Sequence, residues 1–193
     1  MQDETLYIFD LDDTLVRSNN ENLAIYIQDE HGKEVNRVSY VDYLENGLPP
    51  LPEGHWANWR EFSCAYTFFA TAQPVPQIVN IAQQVYYSGA DAVILTARSH
   101  FDDRALLKQA FEVKNIPDFE LLCAGFAPVP SNPEKKCYML DKIVKPKHRN
   151  VVIYDDRMDN ILGMREWCYT KGLEVEARHV EVKPDLSVVI TVY

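Results

Sequence analysis

The chain has 193 residues, 47% of them apolar, and a formal net charge of −10 with an isoelectric point near 4.9. That is enough apolar material for one domain, or for one core with a modest insertion. No stretch approaches the roughly 18 apolar residues of a membrane span, and the acidic field disfavours duplex nucleic acid and anionic membranes as major partners.

The expectation is a soluble, cytoplasmic protein with no targeting segment. Its four cysteines, Cys64, Cys123, Cys137 and Cys168, show no CxxC spacing and read as reduced, mostly buried thiols.

In chain order, the first element is a hydrophobic strand that runs directly into acids: Leu6-Tyr7-Ile8-Phe9-Asp10-Leu11-Asp12-Asp13-Thr14-Leu15. In an extended strand side chains i and i+2 share a face, so Asp10 and Asp12 converge while Asp13 points away and serves the turn. Two carboxylates held together repel unless a cation or a shared proton compensates.

Residues 18–72 differ in character. They begin with a polar run, Ser18-Asn19-Asn20-Glu21, followed by a predicted helix over Leu23 to Asp29 and a turn at His31-Gly32. After a Pro/Gly-rich stretch, Trp56, Trp59, Ser63, Tyr66 and Phe69 recur at spacings of three and four, the pattern of one helical face. This face reads as the core of a mainly helical insertion.

From Pro74 the rhythm alternates between helix and strand. Helices are predicted over Pro76 to Ser88, Asp102 to Lys114, Pro133 to Val144 and Met158 to Lys171. Strands are predicted at Ala92 to Leu95, Leu121 to Cys123 and Val151 to Tyr154. In the tail, Val175 to Val182 reads as a further parallel strand and Val188 to Val192 as an edge strand. Repeated βα units imply an α/β fold: a Rossmann-like parallel sheet flanked by helices, built from residues 1–17 and 73–193, with 18–72 inserted after the first strand.

Sites in such sheets lie at the carboxyl ends of the strands. Three polar clusters fall on that rim: Asp10-Leu11-Asp12, Thr96-Ala97-Arg98 and Asp155-Asp156-Arg157. Taken singly, Thr96 or Ser99 could cap a helix and the Asp155-Asp156 pair could complement a helix dipole. Together they place several acids in one region with no structural return.

These clusters resemble the motifs of the haloacid dehalogenase-like superfamily of phosphotransferases. The first resembles Phe9-Asp10-Leu11-Asp12-Asp13-Thr14-Leu15, the second Leu95-Thr96-Ala97-Arg98 and the fourth Ile153-Tyr154-Asp155-Asp156-Arg157, with Asn160 following. The third motif is a lysine at a helix start, for which Lys136 is favoured over Lys135 and Lys142.

The resemblance implies that Asp10 is a nucleophile forming an aspartyl-phosphate. It makes Asp12 the acid and base for the leaving oxygen and for water. Thr96 and Lys136 would contact the phosphoryl group. Arg98 and Arg157 would either grip substrate or pair with a neighbouring acid. It also implies a magnesium ion held by Asp10, the Asp12 backbone carbonyl and the last acidic motif, with Asp156 the direct ligand and Asp155 behind it.

The reading is therefore a magnesium-dependent phosphomonoesterase acting on a small phosphorylated metabolite such as a nucleotide, with 18–72 as a lid. The alternatives are a phosphatase of polynucleotide 3′-ends and a non-catalytic binding protein on the same scaffold. The basic run Lys142, Lys145, Lys147, His148 and Arg149 reads as a solvated loop. None of the five histidines is assigned to catalysis, and the oligomeric state is left open.

Overall fold

A computed structural model describes residues 4–18 and 23–193. Asn19, Asn20 and Glu21 of the polar run lie outside the described residues. The elements in chain order are β1 (Thr5–Phe9), β2 (Val16–Arg17), β3 (Ala24–Gln28), β4 (Glu34–Ser39), α1 (Tyr40–Asn46), β5 (Trp56–Asn58), α2 (Arg60–Ser63), α3 (Ala65–Thr71) and β6 (Gln73–Pro74). They continue with α4 (Pro76–Ser88), β7 (Asp91–Thr96), α5 (Arg104–Val113), β8 (Glu120–Cys123), a 3₁₀ turn (Ala124–Phe126), α6 (Asn132–Ile143), β9 (Asn150–Asp155), α7 (Met158–Thr170), β10 (Glu174–Val182) and β11 (Val188–Val192).

The chain divides into two compact units. The first comprises the described residues of Met1–Arg17 together with Gln73–His100 and Phe111–Tyr193. It is a mixed α/β unit around a six-stranded sheet of order β11-β10-β9-β1-β7-β8, parallel throughout except for β11.

Period-two alternation explains how the sheet fills both layers. Leu6, Ile8, Val93, Leu95, Val151 and Ile153 join Leu140 of α6 and Ile161, Met164 and Cys168 of α7 in one buried cluster. On the opposite face the alternate residues Phe9, Ile94 and Tyr154 are also buried, and Phe9 stacks between Tyr154 at 4.8 Å and Phe119 at 5.9 Å. Helix α4 ends where Gly89 adopts the left-handed conformation (φ 75°), which lets the chain turn into β7.

The second unit comprises the described residues of Ser18–Ala72 together with Phe101–Ala110. Besides the helices α1, α2 and α3 it contains a sheet. The segment expected to be a helix at Leu23 to Asp29 is strand β3, the centre of a three-stranded antiparallel sheet of order β4-β3-β5. Its Ala-Ile-Tyr-Ile-Gln sequence alternates in burial, with Ile25 and Ile27 inward, and β-branched and aromatic side chains favour the pleated surface.

The aromatic recurrence from Trp56 to Phe69 is likewise not one helical face. Trp56 lies on β5, the chain breaks again at Cys64, and Tyr66 is largely exposed. Tyr40, Tyr43, Trp59 and Phe62 instead form a linked cluster with ring centroids 4.9–5.9 Å apart. Asp102 ties the start of the 101–110 segment to this unit: its side chain accepts from Ala65 N (2.7 Å) and its own N–H donates to Ser63 O (2.9 Å).

The cysteines are free thiols, with Cys168 buried and the others half-buried. Among the described residues no helix is long and apolar enough to cross a membrane.

Candidate functional site

Parallel register assembles the rim. Phe9 lies opposite Tyr154 on one side and Ile94 on the other, so the next residues, Asp10 and Asp155, leave the sheet at the same level, with Thr96 ending the adjacent strand. The Asp10 N–H donates to Tyr154 O at 2.8 Å.

The extended geometry stops at Phe9. Residues Leu11 to Leu15 form a turn, with Asp13 in the left-handed region at φ 54°. Asp12 therefore lies in a turn rather than on a strand, and its charge acts on Asp10 from there. The cluster that forms is Asp10 with Asp155 and Asp156, whose carboxylate oxygens lie within 4.8 Å of one another.

Lys136 organises this cluster. Helix α6 starts with a reciprocal cap between Ser131 and Glu134 and carries Pro133 in its first turn. One turn later Lys136 and Leu140 face inward, and the lysine is 1% exposed. Its Nζ donates to Asp10 Oδ1 (2.7 Å) and to Asp155 Oδ2 (2.5 Å).

Burial works against the ammonium, but the two carboxylates outweigh it and hold Lys136 above the usual amine range. Lys142 is exposed and lies over the Tyr138 ring, and Lys135 is half-buried; neither is placed as Lys136 is.

Asp155 is satisfied within the protein. Its Oδ1 accepts from Arg157 N (2.9 Å) and Asn160 Nδ2 (3.0 Å), and its Oδ2 from Lys136. Asp156 is different: among the described residues no hydrogen-bond donor reaches its carboxylate. Its backbone is fixed instead, because Asp156 O lies 2.7 Å from His179 Nε2 on β10. Burial first, then the charges of Asp10, Asp155 and Asp13, push Asp156 up to about 9. Burial also raises Asp10 to about 7 against the pull of Lys136, and burial with the nearby Asp12 charge raises Asp13 to about 7.

Burial and mutual repulsion thus oppose full ionisation of these carboxylates beside a single ammonium. An oxygen-only set with an uncommitted carboxylate could hold a metal ion.

The charge of Asp12 still reaches Asp10 and adds to the rise of that group. Arg98 grips Asp12 through Nε to Oδ2 (2.7 Å) and Nη2 to Oδ1 (2.6 Å), so of the two uses expected of Arg98 the pairing with an acid is present. Thr96 caps no helix: its Oγ1 accepts from Arg98 N at 3.2 Å, and α5 begins only at Arg104. Arg157 turns outward to Asp159 through two hydrogen bonds.

The Thr96–Ser99 loop is fixed by Gly125, whose N–H donates to Arg98 O (3.0 Å). A Cβ at Gly125 would lie 2.6 Å from Ser99 N and 2.7 Å from Ala97 O, so only glycine fits.

Sequence reasoning did not give Asp13, Gly125 or His179 a part in the site. Asp13 follows the motif acids directly, and a left-handed turn residue beside them was the available signal. Gly125 and His179 reach the site by long-range packing that carries no local pattern.

Two members of the basic run meet an acid at the other end of the sheet, while Lys142, Lys145 and Arg149 are exposed. His148 Nε2 and Lys147 Nζ contact Asp91, the first residue of β7, at 2.8 and 2.7 Å. A scan against protein-family models finds no match for this chain, and a search of curated proteins finds none.

Proposed function

We propose that the chain is a magnesium-dependent phosphomonoester hydrolase of the haloacid dehalogenase-like type, working through an aspartyl-phosphate on a small phosphorylated metabolite. Three carboxylates alone define no activity. The observation that carries the reading is Lys136, buried and bridging Asp10 to Asp155, with the uncommitted carboxylate of Asp156 alongside.

In this reading Lys136 holds Asp10 Oδ1 and leaves the second oxygen to attack phosphorus in line with the ester oxygen. Asp12 gives its proton to the departing alcohol. It then takes a proton from the water that attacks the acyl phosphate, so that inorganic phosphate leaves and Asp10 is regenerated. Arg98 fixes the Asp12 carboxylate for both steps, since each oxygen keeps a second lone pair. Thr96 directs its hydroxyl proton to a phosphoryl oxygen, and the Lys136 ammonium offsets charge there. A magnesium ion, held by Asp10, Asp156 and the Asp12 carbonyl with Asp155 behind them, would supply charge neutralisation and keep Asp10 ionised.

The insertion 18–72 enters directly after the first motif, the position of a cap that selects the leaving group. The test is release of phosphate from a panel of phosphorylated metabolites, with p-nitrophenyl phosphate and 3′-phosphorylated oligonucleotides included, with and without magnesium. Metal-dependent release lost in Asp10→Asn is the expected result. No release from any ester, or turnover surviving in Asp10→Asn, overturns the proposal.

A further inference from the structure

The rim carries one feature that the chemistry above does not use. Phe126 ends the 3₁₀ turn that follows β8 and is 72% exposed. Cys123, the last residue of β8, is the register partner of Thr96, so this turn leaves the sheet beside the Thr96–Arg98 loop. The ring of Phe126 stacks on His100 at 5.5 Å with only 17° between the planes. His100 is itself tethered, its Nδ1 lying 3.2 Å from Ser99 Oγ.

Single exposed apolar residues are ordinary, and Tyr66, Tyr87 and Tyr169 are comparably exposed. Phe126 differs from them in three respects. It has no hydroxyl to seek water. It sits on a turn locked to the site loop by the close approach of Gly125 to Ser99 and Ala97. One ring face is already engaged in a parallel stack, which presets its orientation. A rigid aromatic face standing in water beside a phosphoryl-binding loop is suited to a second planar ring.

We propose that His100 and Phe126 form a stacking platform for a planar aromatic ring in the leaving group, making the substrate class a mononucleotide whose base stacks on Phe126. This rests on the phosphatase reading for the position of the phosphate. It adds the part of the substrate that this reading leaves open. The net charge of −10 favours a mononucleotide over a polymer end.

The experiment compares affinities for a nucleoside 5′-monophosphate and for ribose 5-phosphate, the same ester without the ring. Binding is measured by calorimetry in the Asp10→Asn background with magnesium, and kcat/KM in the wild-type background. The wild type should prefer the nucleotide. Phe126→Ala should reduce that preference about tenfold, the scale of one base–aromatic stack, with ribose 5-phosphate unchanged. Phe126→Trp should restore the preference, and Tyr87→Ala, at a still more exposed ring on α4, should leave it intact.

Equal affinity for the two ligands in the wild type, or equal loss on both in Phe126→Ala, overturns the platform. A larger Phe126 effect with a 3′-phosphorylated oligonucleotide overturns the mononucleotide assignment. Absence of turnover by the wild type sinks the phosphatase reading by itself, while the binding ratio still decides the platform.

Discussion

Arg98 holds Asp12 by both oxygens of its carboxylate, from a guanidinium side chain only 4% exposed. Such a fork fixes the carboxylate plane as well as its position. A lysine keeps the charge but cannot reproduce the fork. Arg98→Lys should therefore behave nearly like Arg98→Ala, with a fall in kcat much larger than any rise in KM if Asp12 moves the proton. Both variants should lose about 2–4 kcal/mol of stability, toward the lower end for a broken buried pair because Asp12 is partly exposed. Steady-state kinetics with denaturant unfolding checks this. Full rescue by lysine would show that charge alone matters.

Lys136 is the sole ammonium inside the described carboxylate cluster, so its removal leaves Asp10 and Asp155 facing each other uncompensated. Lys136→Met keeps the volume and should cost about 3–5 kcal/mol near neutral pH, the usual penalty for orphaning a buried charge. The loss should shrink as pH falls below about 7, where Asp10 takes up a proton instead. Thermal unfolding of wild type and variant across pH measures the difference. A pH-independent penalty would mean that Lys136 matters by packing alone.

Much of this site was legible because it is local. The acids of Asp10 and Asp155-Asp156 end continuous apolar strands, and parallel register alone brings them level. Lys136 was legible from helical spacing, since Leu140 one turn on marks the buried face. What failed was the short apolar run at Ala24 to Gln28, where five residues cannot separate a helix from a strand. Its strand character is settled by pairing with β4 and β5, partners distant in sequence. Around Asp12 the pairing of Arg98 with a neighbouring acid was legible, but not which acid. A single left-handed residue at Asp13 ends the strand geometry, and the long-range partner Arg98 then captures the side chain.

That left-handed residue gives a stabilising substitution. At φ 54° an aspartate carries a conformational cost that glycine does not, and burial with the Asp12 charge raises its pKa to about 7. Asp13→Gly removes both, at the expense of a more flexible unfolded chain. The net gain should be about 1 kcal/mol, seen as a rise in Tm of a few degrees. Asp13→Ala removes only the charge and should gain less. A lower Tm for the glycine variant would mean that the Asp13 carboxylate is itself structural.

The same crowding fixes how stability follows pH in metal-free protein. Asp10 and Asp13 titrate near 7 and Asp156 near 9 in the native state, against an ordinary value of 3.8. Once pH passes 3.8 the unfolded chain has released protons that the native state still holds. Stability carried by these groups is thus complete below that pH. It declines as pH rises through about 7 and on toward about 9. Acids such as the half-buried Asp91 and the exposed Asp159, whose partners lower their pKa, act in the opposite sense and only at the acid end.

A divalent cation competes with protons for the same oxygens, so its stabilising effect should grow with pH. In chelator the Tm should fall between about pH 5 and about pH 8, and millimolar magnesium should recover far more of it at the upper pH. Asp156→Asn should flatten the metal-free profile and remove most of the magnesium gain. Thermal unfolding with and without magnesium distinguishes the cases: a magnesium effect that is equal at both pH values, or absent, would show that these carboxylates do not form a cation site.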